Sequence, residues 1–216
     1  MAYAPQADPA GLVDKLGERY EIARTDIKKW AAGMPVQAAL DAIDNIRKRH
    51  PFESGEVQQV TVRLANREVP IVDNREMPDV CLQHIVAVML IDTTLTFRSS
   101  HDKARMRDPA TLRERAKVRL VPDEQLERLM PRRQAIVEIT LVDGTQLSEH
   151  VDAVRGTAHN PMTRQEVVAK ARDLVTPVLG ATTCAGLIEQ VFALESVKDV
   201  RELRPLLQWT SANDPT

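Results

Sequence analysis

The spacing of apolar residues along this chain changes several times, and each change marks an element. After Pro35, the stretch VQAALDAIDNIRKRH puts Val36, Leu40, Ile43 and Arg47 at helical spacing with Ala39 beside them, which predicts an amphipathic helix. A proline in the first turn suits that reading, because its missing N–H would have had no partner there. In VQQVTVRL the period drops to two: Val60, Val62 and Leu64 alternate with polar residues, as in a strand with one buried face. CLQHIVAVMLID (81–92) is apolar nearly all round and predicts a buried helix. TTLTF is β-branched and predicts a strand, DPATLRERA a short helix and KVRLV another strand. QAIVEITLVDGTQLSEHV carries the clearest hairpin pattern. Ala135, Val137, Ile139 and Leu141 alternate ahead of Asp143-Gly144, a pair that tolerates the positive φ of a tight turn.

From residue 163 onward the pattern is helical. Thr163 and Glu166 in TRQE have capping-box spacing, Pro177 and Gly180 read as punctuation, and CAGLIEQVFALES follows with Leu187, Val191 and Leu194 on one stripe. Ahead of the first helix, Tyr20 and Ile22 in YEIARTDIK suggest a short strand or extended lead-in. The fold class expected is α+β. An opening segment (1–24) precedes a mixed module with an antiparallel hairpin (25–155), and a helical segment (156–216) is reached through AVRGTAHNPM.

Composition narrows the function. With 29 Lys and Arg against 31 Asp and Glu, the net charge of -2 gives no bulk attraction to nucleic acid, and 3% aromatics leave few rings for base stacking. Cys81 and Cys184 lie far apart in apolar stretches and read as reduced, packed thiols. The N-terminus lacks the pattern of a signal peptide and no apolar run reaches spanning length, so a cytoplasmic protein with no membrane partner is expected. His101 with Asp102, and His150, Asp152 and His159, repeat no zinc-site spacing, so neither metal nor cofactor is expected. RSSHDKARMRD (98–108) holds four cations interleaved with acids. It reads as a solvated turn and helix start, with phosphate binding as the weaker alternative.

TDIKKWAAG (25–33) places two adjacent lysines beside Trp30 and a glycine, which is either an anion clamp or a wet surface turn. The ordered series IKKWAAG, an amphipathic helix, VDNREMPDVCLQHIVAVML and LVDGTQLSEHVDAVRGTAHNPMTRQEVVAKARDL resembles the C-terminal half of the MmgE/PrpD family, from about residue 10 to 208. The most specific part is the hairpin followed by RGTAHNPMT and a capped helix. That family contains 2-methylcitrate dehydratase, cis-aconitate decarboxylase and iminodisuccinate epimerase. The resemblance implies a small α+β lid, helices that return to a larger all-helical domain, and a cleft between the two. It also implies a homodimer working without metal or iron–sulfur cluster on small di- or tricarboxylates. This chain would hold the lid and the returning helices, incomplete alone, with a separate chain as one possible source of the helical half.

On the same resemblance, Lys28 falls on the lysine that family lids direct into the cleft, which makes it the candidate substrate-binding residue. Lys29 matches a variable position and is expected to face solvent. His84 stands where many relatives have a tyrosine near the substrate. It is either a catalytic acid–base group or an inert core histidine. The loop AGMPVQ lacks the histidine that many relatives carry there. The implied function is the lid portion of a lyase, a hydro-lyase resembling 2-methylcitrate dehydratase. The alternatives are a non-catalytic carboxylate-binding or assembly module, or an epimerase on the same scaffold.

Overall fold

A computed structural model describes residues 8–20, 22 and 25–208. Helix α1 (Gln37–Arg49) grows out of a single 3-10 turn around Pro35. It buries Ala39, Ile43 and Ile46 and collects Arg47, Lys48 and Arg49 in its last turn, where cations meet the negative end of the helix dipole. Strand β1 (Val57–Ala65) follows. A long crossover then carries the one-turn helix α2 (Val69–Val72), the buried helix α3 (Leu82–Asp92), α4 (Phe97–His101) and α5 (Pro109–Ala116). The crossover returns as strand β2 (Val118–Asp123), parallel to β1. Such a connection suits a parallel pair, which no tight turn can join.

After the short helix α6 (Glu124–Arg128), strands β3 (Ala135–Leu141) and β4 (Gln146–Val151) complete a mixed sheet in the order β2-β1-β3-β4. Val60 lies between Val118 and Ile139, and Val62 between Leu120 and Val137, so the alternating apolar set forms one continuous face. Helix α1 packs behind β3 and β4, and α3 behind β2. The α+β class and the antiparallel hairpin stand as the sequence indicates, with Gly144 at φ +89° in the turn. Helix α3 is buried from Leu82 to Leu90. Arg47 closes its end by donating to the carbonyls of Met89 (3.0 Å) and Leu90 (3.2 Å), acceptors that have no partner within the helix. Both cysteines are free and buried, and among the described residues no helix is long and apolar enough to cross a membrane.

Helix α7 (Arg164–Leu179) starts at the Thr163–Glu166 capping box, and α8 (Ala181–Phe192) folds back across Gly180 at φ +80°. A last short helix, α9 (Arg204–Leu207), rests on α8. The stripe on α8 and just beyond it remains open: Val191 is 52% and Leu194 50% exposed.

Three local expectations change. TTLTF is no strand: Thr93 ends α3 in the left-handed region, and Thr96 caps α4 by exchanging hydrogen bonds with Ser99. A local capping box outweighs the β propensity of the threonines there. Pro177 does not punctuate but lies inside α7, and Gly180 alone ends the helix. Tyr20 and Ile22 are exposed and belong to no strand, while positions 21, 23 and 24 of that stretch lie outside the described residues.

Candidate functional site

The TDIKKW segment is held in place by buried polar groups. On α1, Gln37 and Asp41 sit four residues apart and therefore on one helix face. The Gln37 amide accepts from Trp30 N–H (3.1 Å) and donates to the carbonyls of Trp30 (3.0 Å) and Ala32 (3.1 Å). Asp41 accepts from the Trp30 indole (2.9 Å) with one oxygen and from the Arg155 backbone (2.7 Å) with the other. Burial pushes the Asp41 carboxyl above the usual aspartate value, against the pull of these hydrogen bonds and of Lys29.

RGTAHNPMT closes the arrangement from the other side. Ile27 N–H donates to the Gly156 carbonyl (2.8 Å), and a Cβ at Gly156 would come within 1.8 Å of the Ile27 carbonyl oxygen. Gly156 also sits at φ +94°, so both the close approach and the backbone require glycine. Arg155 next to it donates to Asn160 (2.7 Å) and to both oxygens of Glu166 (3.0 and 2.5 Å). Glu166 is at the same time the capping-box carboxylate of α7, accepting from Thr163 N–H at 2.7 Å. The Arg155 hydrogen bonds, assisted by those from Thr163, hold its pKa down to about 2. One loop thus fastens the lysine segment, the sheet and the capped helix together.

The two lysines differ. Lys29 is not a free solvent-facing cation: its Nζ is 2.6 Å from Asp44, it lies 4.3 Å over the Trp30 ring, and its side chain is 21% exposed. Asp41 and Asp44 one turn of α1 apart draw it inward. Lys28 is exposed and donates only to the Ala32 carbonyl (3.2 Å), with no carboxylate partner among the described residues. Across from it on α7, burial and then the charge of Lys28 lower the pKa of Lys170. Lys170 also lines a hollow of about 290 Å³ with Trp30, Ala31 and Asp173. A second, larger hollow of about 640 Å³ is bordered by Asp26, Met34, Arg132, Arg133 and His159. Lys28, without a carboxylate partner among the described residues, and Lys170, partly offset by Asp173, place two ammonium groups near one segment, a pairing that can hold an anion.

His84 is not part of this arrangement. Its ring is 0% exposed within α3 and neither nitrogen has a partner in the described structure. Burial first, then the charges of Arg115 and Arg105, lower its pKa to about 4. In this conformation the ring is fully enclosed and stands as a core histidine.

Reading the sequence alone passed over Gln37, Asp41, Arg155 and Lys170. A polar pair four residues apart on the otherwise apolar face of the first helix was the available signal for Gln37 and Asp41. Lys170 carries no comparable mark, being one of several cations on an amphipathic helix.

Comparison with known proteins gives the class of this mixed sheet with helices in its crossover, clasped glycine loop and capped helix. The profile of the MmgE/PrpD C-terminal domain matches residues 30–194, and the chain belongs to that family. It is also similar to cis-aconitate decarboxylase of Mus musculus, 24% identical over 197 residues, a match that covers 87% of this chain and 40% of the mouse protein. The chain therefore spans well under half the length of that curated relative.

Proposed function

We propose that the chain supplies the lid side of a lyase site for small di- or tricarboxylates, with Lys28 holding one substrate carboxylate. The observation that carries this reading is the contrast within TDIKKW. Ile27 and Trp30 are held by specific partners and Lys29 is neutralised by Asp44, whereas Lys28 is exposed and has no ion-pair partner among the described residues. A fixed ammonium stabilises a carboxylate and, more strongly, the charge that develops on it when the neighbouring C–H is deprotonated. Lys170, facing the same segment, is the natural second cation.

The reaction we favour is dehydration of a 2-methylcitrate-like hydroxy acid. Removing water needs a base for the C–H and an acid for the leaving hydroxyl. With His84 enclosed, these groups come from a helical portion that sits on the open apolar stripe of α8, in the same polypeptide or a partner chain, in a cytoplasmic homodimer. Decarboxylation is the second reading, supported by the name of the mouse relative, and it makes the same demand on Lys28.

The test is Lys28→Ala in an assembly that includes the helical portion, assayed on 2-methylcitrate and on cis-aconitate. Loss of a charge-assisted contact of about 1.5–3 kcal/mol lowers kcat/KM on the order of ten- to a hundredfold, with thermal stability unchanged. Lys29→Ala should show the reverse: activity per folded molecule is kept, and stability falls by roughly 1 kcal/mol as the Asp44 pair and the Trp30 contact are lost. Full activity of Lys28→Ala on both acids would remove the basis of the reading.

A further inference from the structure

The segment RSSHDKARMRD and the helix after it form a surface that the lid reading does not use. Elsewhere in the sheet region cations are matched: Arg63 pairs with Asp123, Arg67 with Glu127, Arg49 with Glu149. Between residues 98 and 119 the acids are spent locally. Asp102 caps Ala104 N–H (2.8 Å), Asp108 caps Thr111 N–H (2.8 Å) and Glu114 pairs with Lys117 (2.8 Å), while Arg105 turns inward to Asp92. Lys103, Arg107 and Arg115 have no ion pair among the described residues. With Arg75 they surround an open hollow of about 610 Å³ in which Glu76 is the single carboxylate.

The hollow also has internal scaffolding. Arg115 donates to the Asn74 side chain (3.0 Å), and Asn74 sits in the left-handed region at φ +46°. That turn is fixed from below by Gln83, 5% exposed, whose carbonyl accepts Asn74 N–H (3.0 Å) and whose amide binds Asp73. A buried amide thus sets the turn that aims the guanidinium. The local positive field reaches inward, where Arg115 and Arg105 add to burial in keeping His84 neutral.

We propose that this hollow is an anion site distinct from the Lys28 segment, taking a compact oxyanion of at least two negative charges, of the phosphate-ester or diphosphate class. Four cations converging from α5, the preceding turn and the 73–76 loop match the several acceptor oxygens of a tetrahedral oxyanion. A planar carboxylate is filled by one guanidinium fork. The concave form favours a small ligand over a flat acidic protein surface. The test is calorimetric titration of the 216-residue chain with inorganic pyrophosphate at fixed ionic strength. Saturable one-site binding is expected, weakened about tenfold or more by Arg107→Gln and by Arg115→Gln, each with an unchanged melting temperature. Arg113→Gln, exposed on the same helix but outside the hollow, should bind as the parent does. Three outcomes overturn the proposal: no saturable binding, equal loss with Arg113→Gln, or loss with Lys28→Ala while the arginine variants bind normally. The last would place the anion at the Lys28 segment and leave the lid reading intact.

Discussion

Gly156→Ala tests whether the RGTAHNPMT loop holds the lysine segment by contact. The added methyl would stand 1.8 Å from the Ile27 carbonyl oxygen and 2.9 Å from its carbon, both backbone atoms that no rotamer change can move aside. The two segments must separate by more than 1 Å, a rough figure set by ordinary carbon–oxygen contact distances, and the Ile27–Gly156 hydrogen bond is then lost. Adding about 1–2 kcal/mol for a Cβ at positive φ to about 1 kcal/mol for that bond, and allowing for disturbance of Asp41 and Arg155, gives a destabilisation of about 2–4 kcal/mol. For a chain of this size the melting temperature should fall on the order of 10 °C, measured by calorimetry with a denaturant titration alongside. Gly144→Ala is the matched control, since it shares the positive φ (+89°) but has nothing within 4 Å of its added Cβ. It should cost only about 1–2 kcal/mol. If the two variants unfold at the same denaturant concentration, the close approach at Ile27 contributes nothing and the clasp is not what positions Lys28.

Two pH effects follow from the buried and paired groups. Glu166 is held at about 2 against the usual 4.5, a lowered carboxylate, so its stabilisation is complete above about pH 4.5 and drains away as pH falls toward 2. Glu166→Gln should flatten the acid side of the stability profile in that window, and an unchanged acid limb would argue against the Arg155–Glu166 link. His84, lowered from 6.5 to about 4, makes the unfolded chain bind the extra proton, so stability declines as pH drops from about 6.5 to 4. His84→Leu, close in volume and lacking the two unpartnered nitrogens, should raise stability at neutral pH by roughly 1 kcal/mol and remove that decline. A large loss of turnover in the assembled enzyme would instead restore His84 as a reacting group.

Much of the fold was readable because its strongest signals are local and repetitive. The alternation of Val60, Val62 and Leu64, the turn at Asp143-Gly144 and the Thr163–Glu166 cap each depend on neighbours within a few residues. What could not be read depends on distant partners. Nothing near Lys29 in sequence shows that Asp44 will neutralise it, so a solvent-facing lysine was expected where α1 in fact draws it in. His84 was undecided for the same reason: an imidazole on an apolar helix is inert or reactive according to whether a cleft reaches it, and α3 is covered. TTLTF misled because β-branched threonines favour strands only when no closer acceptor competes, and Ser99 lies three residues from Thr96.

The pairing of Ile27 with Gly156 joins two points separated by the whole of the sheet and its crossover. A chain made from its N-terminus releases Lys28 long before the loop that secures it exists. Contacts between remote segments also form late, since the intervening chain must first lose its freedom. Strand pairing between β3 and β4 needs only a short turn, whereas β1 must wait both for β2 across its crossover and for β3. Lys28 is therefore among the last groups to acquire a fixed position, and a nascent or partly unfolded molecule does not yet present it in its native setting.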